Sequence, residues 1–316
     1  MKNSNVIEYS LIIPVYNNEE NLPHLFSAIS EFSKKYKDNF ETIFVVDGSP
    51  DESYQLLLSE LNNLPFHSQL ISHSRNFGAF TAIRTGMEHA QGKYIAVMAA
   101  DLQEPIELID TFFVHLSKDK SDIVFGKRLE REDPPVRKFL AKTYWRLYRK
   151  FILPEIPEGG VDVFACNRTV SKTILSIEEP NSSLIAQLFW VGYRRDFIPY
   201  ERQERQHGES AWGLRKRLRY MLDSIFSYSD LPIMAVLWLG AFGCLISFSL
   251  GFVTLLGKLF GLIETPGYTT LILIIMFLFS ILLFTQGIIG CYLWRAFENT
   301  KKRPLNIISN ITKSKT

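Results

Sequence analysis

Four short stretches of this sequence gather acidic, basic and turn-forming residues. They are Pro14-Val15-Tyr16-Asn17, Val46-Asp47-Gly48-Ser49-Pro50-Asp51, Ser74-Arg75-Asn76-Phe77-Gly78 and Ala100-Asp101-Leu102-Gln103-Glu104-Pro105. Asp47 is a carboxylate able to accept hydrogen bonds from a base or a ribose. Taken alone, Asp47-Gly48 is a common turn, and Asp51 or Asp101 a common helix cap. Arg75 either faces a phosphate or pairs with an acid to hold its loop. A fifth stretch, Gly126-Lys127-Arg128-Leu129-Glu130-Arg131, carries arginines whose guanidinium forks match phosphate oxygens. The plainer account of that stretch is a solvated run of charge. Arg202 and Arg205, with Ser210 close by, are further anion-binding candidates, unless Arg205 pairs locally with Glu201 or Glu209.

The elements that carry these stretches are legible from hydrophobic patterning. Apolar runs at Tyr9–Val15, Glu41–Val46, Gln69–His73, Tyr94–Ala100 and Asp122–Phe125 read as strands. Helical patterns at Glu20–Lys35, Asp51–Asn62, Phe77–Ala90 and Ile106–Leu116 separate them. Strand–helix repeats with fully apolar strands imply an α/β fold: a Rossmann-like, mostly parallel sheet with helices on both faces. Ligands bind such sheets at the carboxyl ends of the strands. The first four stretches directly follow the first four strands, and that joint placement lifts them above ordinary loops.

The chain has 316 residues and a net charge of +2, which argues against a strongly basic nucleic-acid binder. Its three cysteines, Cys166, Cys244 and Cys291, are too few and too scattered for a disulfide framework or a zinc site. No G-x-G-x-x-G follows the first strand and no Walker A sequence is present, which disfavours dinucleotide and P-loop chemistry. Leu231–Gly257 holds 27 residues without a charge and Thr265–Trp294 holds 30. A bilayer-spanning helix needs about 20 apolar residues, so two spans are expected. Met1–Tyr9 is polar and Leu11–Tyr16 is too short for a signal core, so the expected soluble part is a non-exported domain. Arg215, Lys216, Arg217 and Arg219 precede the first span, and Arg295, Lys301, Lys302 and Arg303 follow the second. The positive-inside rule then places both ends in the cytoplasm. Val136–Leu153 has six basic residues and no acid, interleaved with aromatic residues. Trp212–Phe226 sets leucines on one face beside arginines. Both read as interfacial amphipathic helices. The expected organisation is a catalytic domain over 1–210, a juxtamembrane helix over 211–230, spans over 231–257 and 265–294, and a basic tail over 295–316.

The ordered motifs also carry a resemblance. PVYNNEENL, VVDGSPD, SRNFGAFTAIRTGMEHAQGKY and AADLQEP resemble family 2 glycosyltransferases of the GT-A fold. The closer resemblance is to the polyprenyl-phosphate branch, which includes dolichyl-phosphate mannose synthases and bacterial undecaprenyl-phosphate glucosyl- and arabinosyl-type transferases. RQERQHGESAWG looks like that branch's R-x-x-R-x-x-G-x-S motif, and a two-span tail is usual there. The resemblance implies a donor site of Pro14, Tyr16, Asn18, Asp47, Arg75, Ala100 and Asp101. It implies Mg²⁺ or Mn²⁺ held by Asp101 and Gln103, and a lipid phosphate received by Arg202, Arg205 and Ser210. Asp101, Arg128, Arg202 and Arg205 then form the catalytic set. Four positions depart from the family pattern, the first being Asn18, where many relatives have glutamate. The usual Asp-Asp pair is Val46-Asp47; the usual Asp-x-Asp-x-Gln reads Ala99-Ala100-Asp101-Leu102-Gln103; and in GGVDVFACNR the usual arginine two residues after Asp162 is Phe164. Arg168 of that segment falls with Asp162 on the acceptor side in the family.

The implied activity is an inverting transfer from a nucleotide diphosphate sugar to a polyprenyl phosphate at the cytoplasmic face. A uridine diphosphate sugar and undecaprenyl phosphate are the implied substrates. A phosphate monoester has a second pKa of about 6 and is a nucleophile without help from a base. Two other readings stand beside this one. A transferase with a hydroxyl acceptor would need a carboxylate base. A membrane-anchored binding protein without activity would account for the missing acids at Val46 and Ala99. Gly240, Gly243, Gly251, Gly287 and Gly290 would permit close helix packing and a homo-oligomer.

Overall fold

The computed structural model describes residues 6–129, 146, 148–150, 154–157, 160, 161, 163–179, 182–203, 225, 226, 229, 231–260 and 267–314. In chain order the elements are β1 (Tyr9–Val15), α1 (Leu22–Ser33), β2 (Phe40–Val46), α2 (Ser53–Glu60), β3 (His67–His73), α3 (Ala79–His89), β4 (Tyr94–Val97), α4 (Ile106–Ser117), β5 (Ile123–Arg128), β6 (Phe164–Asn167), α5 (Arg168–Leu175), α6 (Leu184–Trp190), β7 (Arg195–Tyr200), α7 (Leu231–Leu259), α8 (Tyr268–Thr300) and β8 (Ile308–Lys313). The eight strands form one sheet in the order β7-β5-β6-β4-β1-β2-β3-β8. β6 and β8 run antiparallel to their neighbours, and the other pairings are parallel.

All five expected strands and the four helices between them are present. The fourth strand stops at Val97 rather than Ala100. Met98 still donates to the Ile12 carbonyl at 3.1 Å. The next ladder bond would come from the N–H of Pro14, which proline lacks. Met98–Ala100 is therefore released into the loop that carries Asp101. β6, β7 and β8 were not expected. The largest departure is β8: part of the expected free basic tail pairs with β3 from Gln69↔Lys313 to His73↔Ile308.

Side-chain alternation splits the core between the two faces of the sheet. Leu11, Ile13 and Val15 join Leu22, Leu25 and Ile29 of α1 and Phe112 and Phe113 of α4 in one buried cluster. On the other face α3 comes so close to β1 that a Cβ on Gly86 would lie 2.4 Å from Ile12 Cγ2. Arg84, also on α3, is buried and closes the end of α5. Its guanidinium donates to the carbonyls of Ile174, Leu175 and Ile177 and to Gln187 Oε1.

The chain divides into two compact units, Met1–Arg217 with Arg303–Thr316, and Leu218–Lys302. In the second unit α7 and α8 touch each other. Large apolar side chains stand exposed along both, among them Leu237, Trp238, Phe242, Phe277, Phe284 and Leu293. Among the described residues one helical stretch, Phe277–Thr300, is long and apolar enough to cross a bilayer, and a shorter apolar stretch covers Pro232–Gly243. Two spans were expected; this measure gives one. Among the described residues no heavy atom lies within 4 Å of a Cβ built on Gly240, Gly243, Gly287 or Gly290.

Gly86→Val is expected to cost about 1–3 kcal/mol by overpacking against Ile12. Urea unfolding measures it; an unchanged midpoint would contradict the close approach of α3 to β1.

Candidate functional site

Each of the first four strands hands over to its loop through a left-handed residue: Asn17 (φ 54°), Gly48 (58°), Gly78 (101°) and Leu102 (52°). Asparagine and glycine adopt this conformation readily, whereas for leucine it costs about 1 kcal/mol. Strain of this kind collects where loop geometry serves a site. The strand order reverses between β4 and β1, and the crevice at such a reversal is where ligands enter a doubly wound sheet. Tyr16 and Asp101 follow the two strands that flank it.

Asp47 is 3% exposed, and its carboxylate is fully engaged within the chain. Oδ1 accepts from the Phe77 amide at 2.8 Å and from His73 Nδ1 at 2.8 Å; Oδ2 accepts from the Gly78 amide at 2.7 Å. A carboxylate only accepts, so His73 must carry its proton on Nδ1. Its Nε2 meets Thr85 Oγ1 at 2.9 Å. A Cβ on Gly48 would lie 2.3 Å from the Arg75 carbonyl carbon and 2.4 Å from the Asn76 nitrogen, so the loops after β2 and β3 are in direct contact. The sequence suggested a ligand-contacting Asp47; the structure shows it holding the Phe77 and Gly78 amides of the loop after β3. Val46, where the family has its other acid, is 1% exposed and sits in the core.

Asp51 ties the loops after β1 and β2 together. It accepts from the Glu19 amide and from the hydroxyls of Ser49 and Ser53. Burial pushes its carboxyl up, but these donors outweigh burial and hold it below the usual carboxylate range. The anchoring is complete above the unfolded pKa of about 4 and is lost as pH falls through the lowered value. Ser49 Oγ also receives the Asn17 amide at 2.8 Å, and Asn18 Oδ1 the Tyr16 amide at 3.2 Å. Asn18 therefore shapes the turn that presents Tyr16. Pro14 lies in β1 opposite Val45.

Arg75 is exposed, donates to the Asn76 carbonyl and stacks on Phe77 at 4.0 Å. Its head borders a polar cavity of about 410 Å³ together with Gly48, Ser49, Asp51, Tyr54 and His73.

The loop after β4 and the segment after β7 dock on one another. The Gln203 amide donates to the Gln103 carbonyl at 2.9 Å, and Gln103 Nε2 to the Gln203 carbonyl at 3.3 Å. Arg202 Nη2 donates to Gln103 Oε1 at 2.5 Å. Two expected residues, Gln103 and Arg202, are thus brought together, and one lone pair of the Gln103 oxygen expected to meet a metal accepts from Arg202. Asp101 is 8% exposed beside Ala100, and its Oδ1 accepts from the Gln103 amide at 3.4 Å. Arg128 ends β5 in register with Tyr200, two residues before Arg202. Among the described residues no group of three His, Cys, Asp or Glu side chains is placed to hold a metal. Asp101 fits as a single carboxylate ligand whose partners would be ligand phosphates. Gln103 would join it only through the second lone pair of Oε1, beside the Arg202 guanidinium.

Arg205, Ser210, Asp162 and most of both amphipathic stretches lie outside the described residues. Arg168 is placed far from the carboxyl edge. Its amide bonds the Lys93 carbonyl and its guanidinium the Gly92 carbonyl, ahead of the first residue of β4. Cys166 is fully buried, and burial pushes its thiol up to about 12, so it is no nucleophile. Sequence reasoning missed His73, Thr85 and the clamping role of Asp51. His73 closes an apolar strand and carried no spacing signal. The Ser49-x-Asp51-x-Ser53 pattern was readable as a side-chain-capped turn.

The chain matches the family model for glycosyl transferase family 2 over residues 10–177. It is 33% identical over 306 residues to an uncharacterized glycosyltransferase of Synechocystis sp., covering 96% of each chain. It is 30% identical over 311 residues to a prophage bactoprenol glucosyl transferase homolog of Escherichia coli, covering 97% of this chain and 100% of the relative. It is 31% identical over 308 residues to the bactoprenol glucosyl transferase of Shigella phage SfV, covering 96% and 99%.

Asp47→Asn would turn an amide nitrogen toward buried donors and is expected to cost about 1–3 kcal/mol of stability with no ligand present. Chemical denaturation measures this. Unchanged stability with weakened nucleotide binding would instead make Asp47 a ligand contact.

Proposed function

Because the chain belongs to glycosyl transferase family 2, we propose that its strand-end crevice transfers a sugar from a nucleotide diphosphate sugar to a polyprenyl phosphate. The single observation that carries this reading is the docking of Arg202 and Gln103 beside Asp101 and Arg128 at one edge of the sheet. The reading takes these arginines as the anion-binding cations and Asp101 as the carboxylate that serves a diphosphate–metal complex. The curated relatives named for bactoprenol glucosyl transfer support the class of acceptor.

In the proposed reaction a lipid phosphate oxygen bonds to the anomeric carbon as the bond from that carbon to the diphosphate oxygen breaks. The nucleoside diphosphate leaves, and the anomeric carbon inverts. The acceptor is already anionic near neutral pH, so no residue has to remove its proton. Tyr16 and the Arg75–Gly78 loop receive the nucleotide, Asp101 orients the diphosphate, and Arg128 and Arg202 face incoming or departing phosphate. Arg205 and Ser210 extend the acceptor side. A bound Mg²⁺ or Mn²⁺ would offset the charge developing on the leaving diphosphate. Uridine diphosphate is the proposed donor carrier and undecaprenyl phosphate the proposed acceptor.

The membrane part of the reading rests on topology. Residues 303–316 complete the same sheet as residues 9–200. A segment that leaves this unit and returns to it can cross a bilayer only an even number of times. With apolar side chains exposed along α7 and α8, two crossings are the proposed arrangement, with the sheet in the cytoplasm beside the basic flanks. The glycines of α7 and α8, which no described residue covers, are where a second copy would pack.

The test is nucleoside diphosphate release by the full chain in detergent, with undecaprenyl phosphate, Mg²⁺ or Mn²⁺ and a panel of nucleotide sugars. Release is expected to need both lipid and metal, and to fall at least about a hundredfold in Asp101→Ala, the scale of losing a charge-stabilising contact. Release in Asp101→Ala at the parent rate would remove Asp101 from the mechanism.

A further inference from the structure

The chain segment that leaves α8 is bonded to the loop that borders the crevice. Asn306 Nδ2 donates to Thr85 Oγ1 at 2.7 Å. The same Thr85 oxygen lies 2.9 Å from His73 Nε2, and His73 Nδ1 is bonded to Asp47, which holds the Phe77 and Gly78 amides. Three further contacts fasten the same stretch. The Ser74 amide donates to the Ile307 carbonyl at 2.9 Å, Ser309 Oγ donates to the Ser72 carbonyl at 3.0 Å, and Asn310 Nδ2 donates to Tyr54 Oη at 2.8 Å. The β3–β8 register shifts between Ser72 and His73, where pairing with Asn310 gives way to pairing with Ile308. The shift lies where the strand gives way to Ser74 and Arg75.

We propose that residues 306–310 form a clasp that sets the Arg75–Gly78 loop, with Asn306 as a positioning residue acting through Thr85, His73 and Asp47. The effect on catalysis rests on the reading of that loop as part of the donor site; the effect on the loop itself does not. Asn306 touches none of the proposed donor residues. Its influence passes through Thr85 Oγ1, a hydroxyl shared by Asn306, His73 and, at 3.0 Å, the Thr81 carbonyl. Thr85 has a single hydroxyl proton. Removing the Asn306 donor changes what that oxygen accepts, and with it the bond that orients His73 toward Asp47. The clasp also ties the loop to the chain that emerges from the apolar unit, so the loop is ordered only when the C-terminal segment has returned to the sheet.

The experiment compares the full chain with Asn306→Asp, Thr85→Val and the double variant. Asn306→Asp keeps size and shape and loses the donor. The first readout is amide hydrogen exchange at Phe77 and Gly78. Exchange is expected to quicken about five- to tenfold in each single variant, the range spanned by one lost hydrogen bond. The double variant should match Thr85→Val alone, because both changes act through one oxygen. Asn306→Gln, which keeps a donor, is expected to recover part of the protection. The second readout is turnover, where KM for the nucleotide sugar should rise and kcat should hold. Exchange at Phe77 and Gly78 unaltered in Asn306→Asp, or additive effects in the double variant, would overturn the clasp. Altered exchange with no turnover in the parent chain would leave the clasp standing and remove the proposed function. Should Thr85→Val fail to fold, Asn306→Asp against Asn306→Gln decides alone.

Discussion

The carboxylate of Asp47 is the constraint from which the rest of the candidate site follows. It stands just past the last residue of β2, buried, and accepts from two consecutive amides of the loop after β3 and from the imidazole of His73. A buried carboxylate without donors would be costly; with three it locks the backbone of 76–78 to the end of β2. Gly48 then has to be glycine, because the Arg75–Asn76 peptide lies where its Cβ would be. Asp51 performs the equivalent task one loop earlier and joins the ends of β1 and β2. The loops after β1, β2 and β3 are therefore held together by the carboxylates of Asp47 and Asp51.

Much of this was legible in the residues. Strand ends with polar, turn-forming groups identified the carboxyl edge, and apolar runs placed β1 to β5, because burial on both faces of a parallel sheet demands such runs. What was not legible depended on partners distant in sequence. β8 reads as a basic tail because its Ser, Asn, Thr and Lys residues face outward from an edge strand; only the pairing with β3 makes it a strand. β6 is four residues long and is defined by the strands on either side. Asp47 looked like a ligand contact because no sequence pattern reveals that its lone pairs are used by Phe77, Gly78 and His73. Nor does any local pattern reveal that Gln103 accepts from Arg202, 99 residues away.

The two missing acids of the family pattern take on a physical meaning. Val46 belongs to the core between β1 and β3, and a carboxylate there would lie among apolar side chains. At Ala99 the loop has already left the sheet because Pro14 cannot extend the β1–β4 ladder. The remaining carboxylate, Asp101, is presented by a strained Leu102 turn and held against the Gln103 amide. In the proposed reaction one carboxylate, the arginines Arg128 and Arg202 and an acceptor that needs no base would together move a sugar between phosphates. β8 brings the segment after α8 back to the sheet of the first unit.

The central claim is that this edge joins a sugar to a lipid phosphate. Its most direct measurement is the recovery of a radiolabelled sugar in the butanol-extractable lipid of membranes carrying the full chain, followed by mild acid and by assignment of the anomeric linkage. The account predicts an acid-labile lipid phosphate sugar with the anomeric configuration opposite to that of the donor. Label found only in water-soluble or acid-stable glycan, or a product that retains the donor configuration, would contradict it.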